Sequence, residues 1–170
     1  MAVVDRNSTA IADMVAVPKV LVNPSKGAAG QVFETTGTVT TANDDSANSI
    51  GRFCRVPSNA RISQVLLSTN AAASTAGAVD IGVYQTADNG GAVVDADLFG
   101  SAVALTSTKR ENSDVTYESG EYTMAESAQP LWQVLGLTAD PNRDYDIAYT
   151  ITTTFNGGPT SMNLKVRYVI

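Results

Sequence analysis

The strongest constraint on the fold lies near the C-terminus, where two strand-length runs alternate apolar and polar residues. In the run 144–154, Tyr145, Ile147, Tyr149 and Ile151 share one face. In the run 162–169, Met162, Leu164, Val166 and Tyr168 share a face, with Asn163, Lys165 and Arg167 opposite. A period of two is the signature of an extended strand with one buried side. Asn156-Gly157-Gly158-Pro159 supplies turn residues between the runs, so the pair reads as a hairpin.

The same grammar recurs upstream. The run 78–86 sets Val79, Ile81, Val83 and Gln85 against Asp80, Gly82 and Tyr84. Further β-rich runs are 31–41, 50–56, 61–68, 92–94, 98–99, 101–105 and 122–124. Lys19-Val20-Leu21-Val22, bracketed by Pro18 and Pro24, suits a sheet edge. Asp88-Asn89-Gly90-Gly91 reads as a hairpin tip, because glycine takes positive φ without steric cost. The polar stretch 106–114 reads as exposed loop, and 71–77 as a loop of small residues. One short helix is expected over 129–137, with Pro130 early and Gly136 near its end.

These elements predict an all-β chain: a jelly-roll-like β-sandwich of about eight or nine short strands with one short helix. Residues 1–16 form an N-terminal arm and residues 17–170 a single β-sandwich domain. No β/α alternation is present, which argues against a nucleotide-binding crevice. A chain of 170 residues, 44% of them hydrophobic, fills a core without metals or disulfides.

Charge narrows the partners. Acids outnumber bases 17 to 11, a formal net charge of -6, and Arg52, Arg55 and Arg61 are the densest basic group. Nucleic acid and anionic membrane are therefore not expected as partners. No run approaches the ~18 apolar residues of a membrane-spanning helix. The residues Met1 to Arg6 lack the basic and apolar regions of a signal peptide, so synthesis and assembly in the cytoplasm are expected. Only 16% of residues are charged, and Ala, Thr, Ser, Val and Gly take their place. Such a surface costs little to desolvate against a partner.

Histidine is absent, which removes the commonest general base and zinc ligand. The single cysteine, Cys54, allows no internal disulfide. Arg52 and Arg55 beside it are the kind of neighbours that activate a thiol, yet no histidine is available as base, so it reads as a structural residue. Asp95-x-Asp97 and Asp144-x-Asp146 place carboxylates two apart, as calcium binding or paired acid/base work requires. Aspartates also mark strand starts and turns, and neither pair has a calcium-loop context. The Asp88–Gly91 run lacks the Lys-Ser/Thr of a phosphate loop. Trp132, beside Leu131, Val134 and Leu135, reads as packed core or subunit contact rather than a sugar-stacking ring. No enzyme activity is expected, and no catalytic, cofactor-binding or metal-ligating residue is assigned.

One block, Phe53-Cys54-Arg55-Val56-Pro57-Ser58-Asn59-Ala60-Arg61-Ile62, resembles a stretch of the capsid cement (head decoration) proteins of tailed bacteriophages. Further pieces follow in the same order: Asp80–Tyr84, Gly90–Phe99, Pro130-Leu131-Trp132 with Leu135-Gly136-Leu137, Asp144-Tyr145-Asp146, and Leu164–Tyr168. The resemblance runs from about Leu21 onward and leaves the N-terminal arm unplaced. It implies a structural protein on the exterior of a phage head in the virion. Such a protein forms a homodimer or homotrimer and bridges major capsid protein subunits. The competing expectation is a virion-associated carbohydrate-binding module using Tyr84, Tyr117 or Tyr122 as exposed stacking rings.

Overall fold

The computed structural model describes residues 31–42, 45–70, 77–105, 109–154 and 160–170. The arm 1–16 and the Lys19–Val22 strand lie outside the described residues. Among these described residues eight strands follow in order: β1 (Val32–Thr40), β2 (Ile50–Pro57), β3 (Arg61–Thr69), β4 (Gly77–Gln85), β5 (Val93–Leu105), β6 (Arg110–Asp114), β7 (Asp144–Thr153) and β8 (Ser161–Val169). They form two antiparallel sheets, β1-β8-β3-β6 and β2-β7-β4-β5. Every connection except β4–β5 passes from one sheet to the other, which is the jelly-roll winding.

The inner faces form one core. Val79, Ile81 and Val83 of β4 and Ile147 and Ile151 of β7 meet Val65 and Leu67 of β3 and Met162, Leu164 and Val166 of β8, all buried. Each such aliphatic side chain contributes about 1.5–3 kcal/mol when taken out of water. The alternation of 144–151 and 162–168 thus decides which faces turn inward. It does not make a hairpin: β7 pairs with β2 and β4, whereas β8 pairs with β1 and β3 in the other sheet. Period-two patterning specifies a buried face, and two facing sheets satisfy it as well as one.

Three other local expectations are corrected. The separate runs 92–94, 98–99 and 101–105 are one long bulged strand, β5, whose register against β4 jumps from Val83↔Asp95 to Ile81↔Gly100. The polar run 106–114 holds the edge strand β6, whose exposed side chains hide it from a hydrophobicity pattern. The run 122–124 is not a strand; Tyr122 is buried and its hydroxyl donates to the Ile62 carbonyl at 2.6 Å. The helix is a single turn, α1 (Leu131–Val134), started after Pro130 and ended before Gly136, which adopts φ +72°.

Both open sides of the sandwich are closed. On one, β1 lies against β2: a Cβ at Gly37 would run into the Phe53 carbonyl. On the other, residues 115–131 cap the part of β3 that β6 leaves bare. Val115 N–H donates to the Val65 carbonyl, Val65 N–H to Thr116 Oγ1, and Leu131 N–H to the Ala60 carbonyl. The main-chain groups of Val65 and Ala60, bonded in this way, cannot template a foreign strand.

Candidate functional site

The basic cluster is spent internally. Asp146, buried on the outer face of β7, accepts from Arg52 Nη1 at 3.1 Å and from Arg55 Nε at 2.8 Å. Arg52 also donates to the carbonyls of Gln85 and Gly91 and lies over the Tyr84 ring. Arg61 stands on the opposite sheet. These arginines clip the β4–β5 hairpin onto β2 and β7 rather than forming a cationic patch.

Cys54 follows the bulge of β2, where Phe53 is left out of the ladder, and is half-buried. Burial pushes its thiol up to about 12, the nearby Asp146 charge adds to this, and a hydrogen bond with Thr35 offsets it in part. Arg52 and Arg55 do not activate it; their guanidinium groups bond Asp146 instead. The Asp144/Asp146 pair is likewise not a free dyad: Asp144 is exposed while Asp146 holds two guanidinium groups.

Asp95 and Asp97 do come together, and the fold adds Glu121, a residue with no neighbouring sequence signal. One oxygen from each lies within 4.8 Å of the others. Among the described residues none of the three has an ion-pair partner. Burial, with the Asp97 charge beside it, raises Asp95, and the Asp97 and Asp95 charges raise Glu121. The main chain of Asp95 and Ala96 crosses directly over Gly82, where any Cβ would collide with it. The triad sits on this crossing.

Two of the three rings expected to stack on a glycan, Tyr84 and Tyr122, are buried. Tyr84 is fully buried, with its hydroxyl 2.5 Å from Thr150 Oγ1, and Tyr122 packs edge-on against Phe99. Tyr117 is exposed, with one side of its ring stacked on Tyr122. Trp132 is half-buried. The Asp88–Gly91 run is the β4–β5 connection, where Ala87–Asn89 make a 3-10 turn and Gly90 and Gly91 take positive φ.

Large apolar side chains left exposed are unevenly distributed. The ladders place Val32, Val169, Arg61, Pro57, Asp144, Gln85 and Val93 at one end of the sandwich. At that end, or on the 115–143 connection that returns to it, stand seven of the eight exposed large hydrophobics among the described residues: Val32, Val93, Val94, Tyr117, Met124, Leu137 and Ile170. Among the described residues only Ile50 lies at the other end. A cleft of about 260 Å³ opens between the β4–β5 hairpin and the 137–143 segment, lined by Val94, Leu137, Ala139, Pro141, Arg143 and Tyr145 among others. Sequence reading missed this surface because its residues come from segments far apart in the chain. No helix among the described residues is long and apolar enough to cross a membrane.

No protein-family model matches the chain, and no curated protein matches it. Among solved structures, the chain is similar to one in the cyanophage Pam1 capsid asymmetric unit. The TM-score is 0.53 at 16% identity, over 91% of this chain and 96% of that one, and the likeness is one of fold.

Proposed function

We propose that this protein is a structural component of a bacteriophage capsid. In this reading it is a cement or decoration protein that binds the outside of the head and bridges major capsid protein subunits. The observation that carries the reading is the shared fold with a chain of a phage capsid over nearly the full length of both chains. The resemblance of the Phe53–Ile62 block to head-decoration proteins points the same way. The functional groups support a non-catalytic role. The cysteine is held protonated, the Arg52–Asp146–Arg55 cluster is occupied in tying together strands of one sheet, and several large apolar side chains stand exposed.

A shell stabiliser works by burying area on several subunits at once, and repetition over many sites turns modest contacts into avid attachment. Self-association into dimers or trimers multiplies the contacts further, and the N-terminal arm is a candidate inter-subunit contact. The test is co-sedimentation of the purified protein with cognate capsids depleted of it, with light scattering to give its oligomeric mass. Saturable binding at a fixed ratio to the major capsid protein is expected. A folded protein that leaves capsids untouched at micromolar concentration refutes the reading.

A further inference from the structure

We infer that the end of the sandwich bearing the Val94–Leu137 cleft is the face that docks on another protein, and that its partner presents an apolar side chain flanked by Lys or Arg. The inference deepens the capsid-binding reading and rests on it for the identity of the partner.

The case is made by three observations. Exposed apolar groups concentrate here, whereas the outer face of the β1-β8-β3-β6 sheet is polar, with Glu34, Lys165, Arg167 and Gln64 bonded to one another. Scattered surface hydrophobics are ordinary, but a concentration at one end marks an interaction surface. A cleft of about 260 Å³ has room for one large apolar side chain as an anchor. The flanking charge then selects the partner. Asp95 follows the lining residue Val94 in the chain and meets Asp97 and Glu121, Asp140 stands between the lining residues Ala139 and Pro141, and none of the triad carboxylates has an ion-pair partner among the described residues. The 115–143 connection adds Glu118, Glu126 and Asp140, so that acids outnumber the bases of this end, Arg143 in the cleft lining and Arg61 at the start of β3. A second copy presenting the same face would bring these acids against their own kind, which is unfavourable. A partner with cations around an apolar knob meets both requirements.

The test uses the full-length protein in two arms. In the first, Val94→Asp combined with Leu137→Asp, the milder Leu137→Ala, and Asp97→Lys combined with Glu121→Lys are compared with wild type for capsid binding. A control, Thr36→Asp, changes the polar outer sheet. Melting temperatures verify folding. The expected result is a loss of at least about tenfold for each double variant, a smaller loss for Leu137→Ala, and no change for the control. Wild-type binding that weakens with salt is expected as well. In the second arm, the peptide acetyl-Lys-Leu-Lys-amide is titrated into wild type and followed by amide chemical shifts. Saturable shifts confined to residues 93–97 and 137–143, absent with acetyl-Glu-Leu-Glu-amide, are expected. Folded double variants that bind capsids like wild type overturn the inference, as do peptide shifts elsewhere or none. Double variants that lose oligomeric mass but keep capsid binding make the face a self-contact and also overturn it. Wild type that ignores capsids while the peptide maps to the cleft refutes the capsid reading alone.

Discussion

At the residue scale, single positions here are decided by close approach and burial. Gly37 is required because β1 lies on the Phe53 carbonyl, a backbone atom that cannot swing aside. Gly37→Val is expected to lower stability by about 1–3 kcal/mol, the usual range for overpacking. Denaturant unfolding checks this through a lower midpoint at unchanged slope. Cys54 gives a chemical prediction. A thiol held near 12 carries almost no thiolate at pH 8, so the native protein reacts with a thiol reagent far more slowly than the denatured one. Equal rates for the two would contradict the burial that sets this value. Asp146 shows how one acid unites distant bases. Asp146→Ala strands Arg52 and Arg55 and is expected to cost about 1–3 kcal/mol, seen as a lower melting temperature.

At the scale of elements, the crossing of β5 over β4 has an electrostatic consequence. Asp95 and Glu121 are raised in the folded protein, so the folded state holds their protons more tightly than the unfolded chain. A raised carboxyl contributes stability below the ordinary carboxylate range and loses it as pH rises through the folded value. The triad therefore works against folding at neutral pH. Asp97→Asn removes the larger of the two charges that raise Glu121 and part of what raises Asp95. The variant should melt above wild type near pH 7, with the difference shrinking toward about pH 4. Paired melting curves across that interval measure it, and a constant difference would rule out the charge mechanism. Glu34 behaves oppositely. Its hydrogen bond with Arg167 lowers it, so its contribution is present above the ordinary range and is lost on acidification.

For the whole molecule, the winding of the strands matters more than their number. β1 pairs with β8 and β2 with β7, so the chain's first described strands close against its last. Such non-local pairing costs loop-closure entropy before any contact repays it. Refolding from denaturant is expected on a time scale of ~milliseconds to seconds, typical of all-β sandwiches. Stopped-flow fluorescence of Trp132 reports it, and a sub-millisecond refolding phase carrying the full amplitude would contradict this topology's control of the rate. The same winding collects Val93, Val94 and Leu137 at one end, so a contact surface emerges from segments that share no local motif.

Much was legible in the residues alone. The alternation of 78–86, 144–151 and 162–168 decided the strands and their buried faces, because a period of two admits no helix. The turn residues around Pro57 and Asp88 set where strands end, and Pro130 with Gly136 bounded the only α-helical turn among the described residues. What the sequence left open was the partner of each strand. A buried face is satisfied by either sheet, so 144–154 and 162–169 read as a hairpin although the winding separates them. Polar β6 became a strand only because β3 offered it backbone groups to bond, and Tyr122 entered the core through the Ile62 carbonyl. Glu121 joined Asp95 and Asp97, and Val94 met Leu137, by the same tertiary means. Patterning is a local property that says which side of a strand must leave water. Which groups then share that shelter, and which remain outside together, is settled when distant segments pack.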